Sequence, residues 1–85
     1  MAQVIVYGSG WCGDTQRALR QLDDLHISYR YVDVDEDPKA EQYIVSVGTT
    51  GRAIRPTIDI DGQILINPDG RTLEKAVAGA GRGES

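Results

Sequence analysis

The sequence has no phenylalanine, and only one tryptophan, one methionine, one histidine and one cysteine. A single cysteine excludes an intramolecular disulfide and any multi-cysteine zinc site built within one chain. No apolar run approaches the roughly 20 residues needed to span a bilayer. There is no basic, then apolar, N-terminal stretch of the secretory type, so the cytosol is the expected compartment and no membrane partner is expected. Positive charge is also scarce: 9 Lys and Arg stand against 13 Asp and Glu, a formal net charge of −4. Without a basic footprint to neutralise phosphates, nucleic acid is excluded as a partner. What remains is 85 residues, 40% apolar and 26% charged, which describes one small globular domain rather than a disordered chain. No repeat and no linker interrupts it.

Val4-Ile5-Val6-Tyr7 is short and β-branched, and Gly8-Ser9-Gly10 follows it, so a buried strand ending in a loop is expected. From Thr15 to Leu25 the period changes. Ala18, Leu19, Leu22 and Leu25 fall on one helical face, and Gln16, Arg17, Arg20, Gln21, Asp23 and Asp24 on the other. Tyr29–Val34 reads as a second strand. Asp37-Pro38 offers an N-cap and a first-turn proline, with Ala40, Tyr43, Ile44 and Val47 at helical spacing before Gly48. Residues 48–55 form a loop ending at Pro56. Thr57–Ile60 and Gln63–Ile66 flank Asp61-Gly62, the dipeptide that turns a hairpin. Asn67-Pro68 reads as another cap and first turn, opening a last helix to about Ala78. Residues 79–85 are Gly-rich and polar and are expected to fray, leaving a domain over 1–78. The order β-α-β-α-β-β-α, with a right-handed first crossover and an antiparallel hairpin, predicts an α/β domain. Its mixed four-stranded sheet would carry helices on both faces.

Cys12 follows the first strand and precedes the first helix. Unpaired N–H groups and the positive end of the helix dipole favour its thiolate, the form that attacks disulfides. Asp14, two residues on, opposes a second negative charge. A lone cysteine is often only a small buried hydrophobe, but a glycine-flanked strand-to-helix loop points to reactivity instead. Trp11 beside it is expected to be exposed. By composition alone Pro56 is an ordinary trans proline at a strand start. His26 has no partner for metal or catalysis and reads as structural, near a helix end that favours cations. The acidic run from Asp33 to Asp37 lacks the spacing of a calcium loop, and reads as a solvated strand end plus a helix cap. Arg17, Arg52 and Arg55 are surface charges, with Arg55 placed to meet a carboxylate.

Trp11-Cys12-x-x-Thr15 after a first strand, with Arg55-Pro56-Thr57 before a hairpin, resembles the glutaredoxin branch of the thioredoxin-like superfamily over about residues 3–78. Within it, the Trp-Cys-Gly block, the stretch Val32–Pro38 and Asn67-Pro68 are most similar to short bacterial glutaredoxin-like proteins, a group that includes the mycoredoxins. The resemblance implies a thioredoxin-like fold and a thiol–disulfide oxidoreductase with Cys12 as nucleophile. Pro56 would be the cis-proline packed against Cys12; Thr15, by its own chemistry, is expected to donate a hydrogen bond to the thiolate and help hold it ionised. Trp11, Gly13, Asp14 and Arg55 would line the substrate site. The backbone of Arg55 would pair with the peptide-like part of a low-molecular-weight thiol: glutathione, mycothiol or bacillithiol. Asp69 and Gly70, at the start of the last helix, would hold the charged end of that cosubstrate.

Three departures stand out. Thr15 replaces the family's second cysteine, Arg55 replaces a small apolar residue, and the glycine pair before the last helix is missing. A chain with one sulfur nucleophile cannot close its own disulfide, which leaves a monothiol cycle on mixed disulfides of proteins with small thiols. A natural monothiol and a threonine introduced to trap an intermediate read identically here. No resident metal is expected, and the chain is expected to be a monomer. Two other functions fit the same sequence. One is an iron–sulfur cluster carrier, against which stands Asp14 beside an anionic cluster. The other is a non-catalytic interaction module on the same fold.

Overall fold

The computed structural model describes residues 3–82. Its elements run β1 (Val4–Gly8), α1 (Gly13–Asp24), β2 (Arg30–Asp33), α2 (Pro38–Val47), β3 (Thr57–Ile60), β4 (Gln63–Ile66) and α3 (Gly70–Arg82). The strands form one sheet in the order β2-β1-β3-β4. β1 pairs parallel with β2 and antiparallel with β3, and β3 pairs antiparallel with β4. This is the β-α-β-α-β-β-α thioredoxin-like arrangement, with helices on both faces.

The pleat of β1 explains the two layers, because alternate side chains leave a strand on opposite faces. Val4 and Val6 point into the larger core with Ala18 and Leu22 of α1, Ile58 and Ile60 of β3, and Leu73 and Val77 of α3. Tyr7 points the other way, against Val34, Ala40 and Ile44 under α2. Its ring centroid lies 5.5 Å from that of Tyr43. Because β1 and β2 are parallel, the loops that follow them leave the sheet at the same end.

The turn chemistry of the hairpin is as expected. Asp61 and Gly62 have φ values of 51° and 94°, the two left-handed residues of a type I′ turn. At α2, the Asp37 carboxylate accepts from the Ala40 N–H at 3.2 Å, and Pro38 is the first helical residue. Gly48 ends α2 for a reason of space, since its φ is −83° and a Cβ there would lie 3.1 Å from the Ile44 carbonyl oxygen.

Three boundaries differ from expectation. Helix α1 begins at Gly13, two residues before Thr15, because Cys12 already has extended geometry and acts as its N-cap. Strand β2 is shorter than Tyr29–Val34, being confined to Arg30–Asp33. The largest difference is at α3. Asn67 is not a cap: it sits at φ 45° and its N–H donates to the Pro56 carbonyl at 2.8 Å, so it closes the end of the hairpin. Asp69 is the capping residue, its carboxylate accepting from the Thr72 N–H at 2.8 Å. The helix continues to Arg82, past the expected end at Ala78, and the remaining tail residues 83–85 lie outside the described residues.

His26 is structural, though through its backbone rather than its charge. It occupies the left-handed position after α1 with φ 58°. Its N–H reaches the Asp23 carbonyl at 3.0 Å and the Ile27 N–H reaches the Leu22 carbonyl at 2.9 Å, the paired bonds of a Schellman motif. A side chain in that conformation carries a steric cost that glycine escapes. Replacing His26 with Gly is therefore expected to stabilise the fold by about 0.5–1 kcal/mol. A rise in the urea midpoint at unchanged slope checks this, and a fall would show that the imidazole contributes more than its backbone costs.

Candidate active site

The thiol is placed by the first turn of α1. The Cys12 N–H donates to the Ser9 carbonyl at 3.1 Å, and its own carbonyl accepts the first helical bond, from Gln16, at 3.1 Å. Below it, Thr15 is wholly buried. Thr15 fits only because β1 ends in Gly8, where a Cβ would come within 2.4 Å of the Thr15 methyl carbon. The Thr15 hydroxyl oxygen accepts from the Ser9 N–H at 3.5 Å, which leaves its proton free to point at sulfur.

Cys12 is half-buried and its sulfur lies 3.8 Å from the Arg55 carbonyl oxygen. The Arg55-Pro56 peptide is cis, as the resemblance implied and composition alone did not. Burial pushes the Cys12 thiol up, but the Thr15 hydroxyl and the N–H groups of Thr15 and Asp14 pull it down further. The Asp14 carboxylate opposes them, and the net result lies below the ordinary thiol value. Asp14 is itself partly answered by Arg17, at 3.9 Å.

Around the thiol three loops are tied together by one guanidinium. Arg55 Nε donates to Ser9 Oγ at 2.5 Å and Nη1 to the Ala53 carbonyl at 2.8 Å, while Nη2 lies 3.1 Å from both Asp35 and Glu41. The expectation that Arg55 would meet a carboxylate is thus realised twice. Asp35 also accepts from the Trp11 indole N–H at 2.6 Å, and the Arg55 guanidinium carbon sits 5.7 Å from the indole centroid. Burial pushes the Asp35 carboxyl up, but hydrogen bonds from Trp11, Ser9 and Arg55 hold it below the ordinary carboxylate value. Trp11 itself is 74% exposed.

Trp11, Cys12, Gly13, Asp14, Thr15, Arg55 and Pro56 therefore gather at the end of β1. Asp69 and Gly70 stand apart from the sulfur and connect to it through α1: Arg17 donates to the Pro68 carbonyl at 3.2 Å and Gln21 to the Gly70 carbonyl at 2.6 Å. The Thr72 N–H, above all, holds the Asp69 carboxyl below its ordinary value. Sequence reasoning missed Asp35 and Ser9. Asp35 was read as part of a solvated acidic run, whereas it is the hinge between Trp11 and Arg55. The signal that finds it is the parallel β1–β2 pairing, which brings the loops after both strands to one end of the sheet. Among the described residues, no group of three or more His, Cys, Asp or Glu side chains is arranged to hold a metal ion. No described helix is long and apolar enough to cross a membrane.

The glutaredoxin family model matches residues 4–65. The chain belongs to the glutaredoxin family. It is 35% identical over 69 residues to mycoredoxin 1 of Corynebacterium glutamicum, covering 80% of this chain and 84% of that one. A protein of Mycobacterium tuberculosis named as a glutaredoxin is 32% identical over 68 residues, covering 79% of this chain and 80% of its own. In fold, a glutaredoxin from Archaeoglobus fulgidus superposes with a TM-score of 0.78 at 20% identity, over 91% of this chain and 87% of that one. As a glutaredoxin-family member the chain is a thiol–disulfide oxidoreductase. The family implies disulfide substrates and a low-molecular-weight thiol as cosubstrate.

Thr15→Val should raise the pH midpoint of Cys12 alkylation, because the hydroxyl that favours the thiolate is gone. It should also cost about 1 kcal/mol of stability through the orphaned Ser9 N–H. A midpoint that stays put would remove Thr15 from the thiol's electrostatics. In the wild type, stability should climb with pH between the lowered folded-state value and the ordinary thiol value of 9.0, since only the unfolded chain still holds the proton there. Chemical denaturation across that interval should show the climb missing from Cys12→Ser.

Proposed function

We propose that this chain is a monothiol oxidoreductase that strips small thiols from protein mixed disulfides. The Cys12 thiolate attacks the small-thiol sulfur of a protein–S–S–R disulfide. A Cys12–S–S–R bond forms, and the protein leaves as its thiolate. A second small thiol, as RS⁻, then attacks that bond, releasing R–S–S–R and returning Cys12 as thiolate. One RSH is thereby consumed for each mixed disulfide reduced, its sulfur joining the R–S half already taken from the protein, and the protein thiolate takes up the proton that this RSH gives up. The observation that carries this reading is a thiol of lowered pKa at the start of a helix, in a chain with no other sulfur nucleophile.

Thr15 supports the ionised sulfur, and the Arg55 carbonyl, 3.8 Å from it, borders the path of the incoming sulfur. The backbone beside the cis Arg55-Pro56 bond would pair with the peptide-like part of the cosubstrate. Asp69 and Gly70 would meet its charged end. There the ionised Asp69 carboxylate favours a cationic group over an anionic one. Glutathione, mycothiol and bacillithiol differ in their charges, so this end of the groove is where they would be told apart. The chain would act as a monomer in the cytosol.

Intact-mass measurement separates the cosubstrates. The protein would be exposed to peptides carrying glutathione, mycothiol or bacillithiol in mixed disulfide. Release of free peptide, with the matching thiol mass gained by the protein and no transfer to Cys12→Ser, is the expected outcome. A Cys12 that alkylates freely yet accepts no thiol from any donor would overturn the reading.

A further inference from the structure

We infer that the Arg55–Asp35 ion pair is a positioning device that holds Trp11 ready as the docking platform for the protein half of the mixed disulfide. This rests on the exchange reading above and assigns residues to the part of the substrate that the small-thiol groove leaves unaccounted for.

Trp11 is the most exposed large apolar residue among those described, at 74%. It adjoins the nucleophile in sequence, and it is not free to swing. Its only polar donor is taken by one Asp35 oxygen at 2.6 Å, while the guanidinium of Arg55 lies 5.7 Å from the ring centre, within cation–π reach. The other Asp35 oxygen accepts from Arg55 at 3.1 Å. Asp35 therefore fastens the ring edge and the cation beside the ring at once.

Arg55 is rigid in turn, with its side chain only 16% exposed and its remaining nitrogens donating to Ser9 Oγ and the Ala53 carbonyl. A side chain already ordered before contact gives up little freedom on binding, which is why fixed aromatic rings serve as anchors at interfaces. The charge of Arg55 is matched by Asp35 and Glu41, so the device orders the indole without presenting an unpaired cation.

Topology says which half of the substrate meets it. Asp35 follows β2, at one edge of the sheet, whereas Asp69 and Gly70 follow β4, at the opposite edge. With the small thiol directed toward the start of α3, the open indole falls to the other side of the sulfur, where the departing polypeptide lies. An indole with one face against a guanidinium and most of its surface open suits an apolar or aromatic residue flanking the substrate cysteine.

The test compares Arg55→Met and Asp35→Ala with Glu41→Gln, which removes a carboxylate from Arg55 without touching Trp11. Both clamp variants should lose the indole band at the red edge of the near-ultraviolet circular dichroism, where tyrosine does not contribute. Transfer from a peptide mixed disulfide should fall about tenfold in kcat/KM, carried by KM. For Asp35→Ala, reaction with the symmetrical disulfide of the small thiol, which has no polypeptide half, should stay within about twofold, as should Cys12 alkylation by iodoacetamide. Glu41→Gln should match the wild type throughout. Asp35→Ala, at a half-exposed site, keeps the test alive if Arg55→Met fails to fold. Clamp variants that process the peptide as well as the wild type, or an Asp35→Ala chain that loses the small disulfide equally, overturn the inference. A wild type inactive on every disulfide overturns the exchange reading instead, and the docking role falls with it.

Discussion

Everything at the active end of this molecule depends on the close approach between the last residue of β1 and the first turn of α1. A Cβ at Gly8 would come within 2.4 Å of a Thr15 carbon atom, so the helix can descend onto the strand only where the strand has no side chain. That descent buries Thr15 completely and brings its hydroxyl under the Ser9 N–H. It also fixes Cys12, the cap of α1, three residues after Ser9, just past the end of β1. The same end of β1 receives the Val34 N–H at the Gly8 carbonyl, 2.9 Å away, which steers the chain leaving β2 toward Asp35. Ser9, the next residue, accepts Arg55 Nε. Three separate loops are thus referred to a single contact between a glycine and a threonine.

The electrostatics divide into two parts that barely overlap. A chain of net charge −4 with Asp14 two residues from its single cysteine is a poor place for a thiolate on net-charge grounds alone. Local dipoles reverse this. Burial and the Asp14 carboxylate push the Cys12 thiol up, yet the Thr15 hydroxyl and two backbone N–H groups outweigh them, because hydrogen bonds act at contact distance on the charged form. Arg55, whose guanidinium ties the loops around the sulfur, is already matched by Asp35 and Glu41, each 3.1 Å from it. Its side chain therefore organises structure while its backbone carbonyl faces the sulfur. Acidity belongs to α1, and shape belongs to the guanidinium.

What could be read from the sequence follows the range of the interaction involved. The hairpin was legible because Asp61-Gly62 supplies both left-handed residues locally. So was the cap of α2, where Asp37 and Ala40 are three residues apart. The start of α3 misled for the same local reason. Asn67-Pro68 and Asp69 both resemble helix starts, and the choice between them is made by a bond from Asn67 to Pro56, eleven positions away. Cys12 and Thr15 were legible from placement and resemblance. Asp35 was not, because its partners are 24 and 20 residues distant and nothing near it in the chain marks it from the other acids of its run. Arg55 sits between these cases: its neighbour Pro56 drew attention to it, but its four-way role exists only once the loops are assembled.

The replacement of a second sulfur by Thr15 has a consequence that reaches beyond the missing thiol. Thr15 is buried, and its hydroxyl is spent on the Ser9 N–H and the Cys12 sulfur, so it favours the thiolate but carries no thiol with which to resolve a disulfide formed at Cys12. In a monothiol cycle the second attack must come from solution, along a line that ends at the same half-buried sulfur. The surroundings of Cys12 must therefore be ordered enough to orient the first disulfide and open enough to admit the second thiol. On the proposed reading, an indole held on one flank and the start of α3 on the other would meet both demands. The Arg55 guanidinium holds Trp11 by way of Asp35, whose carboxylate is bonded to the indole and the guanidinium and not to the sulfur.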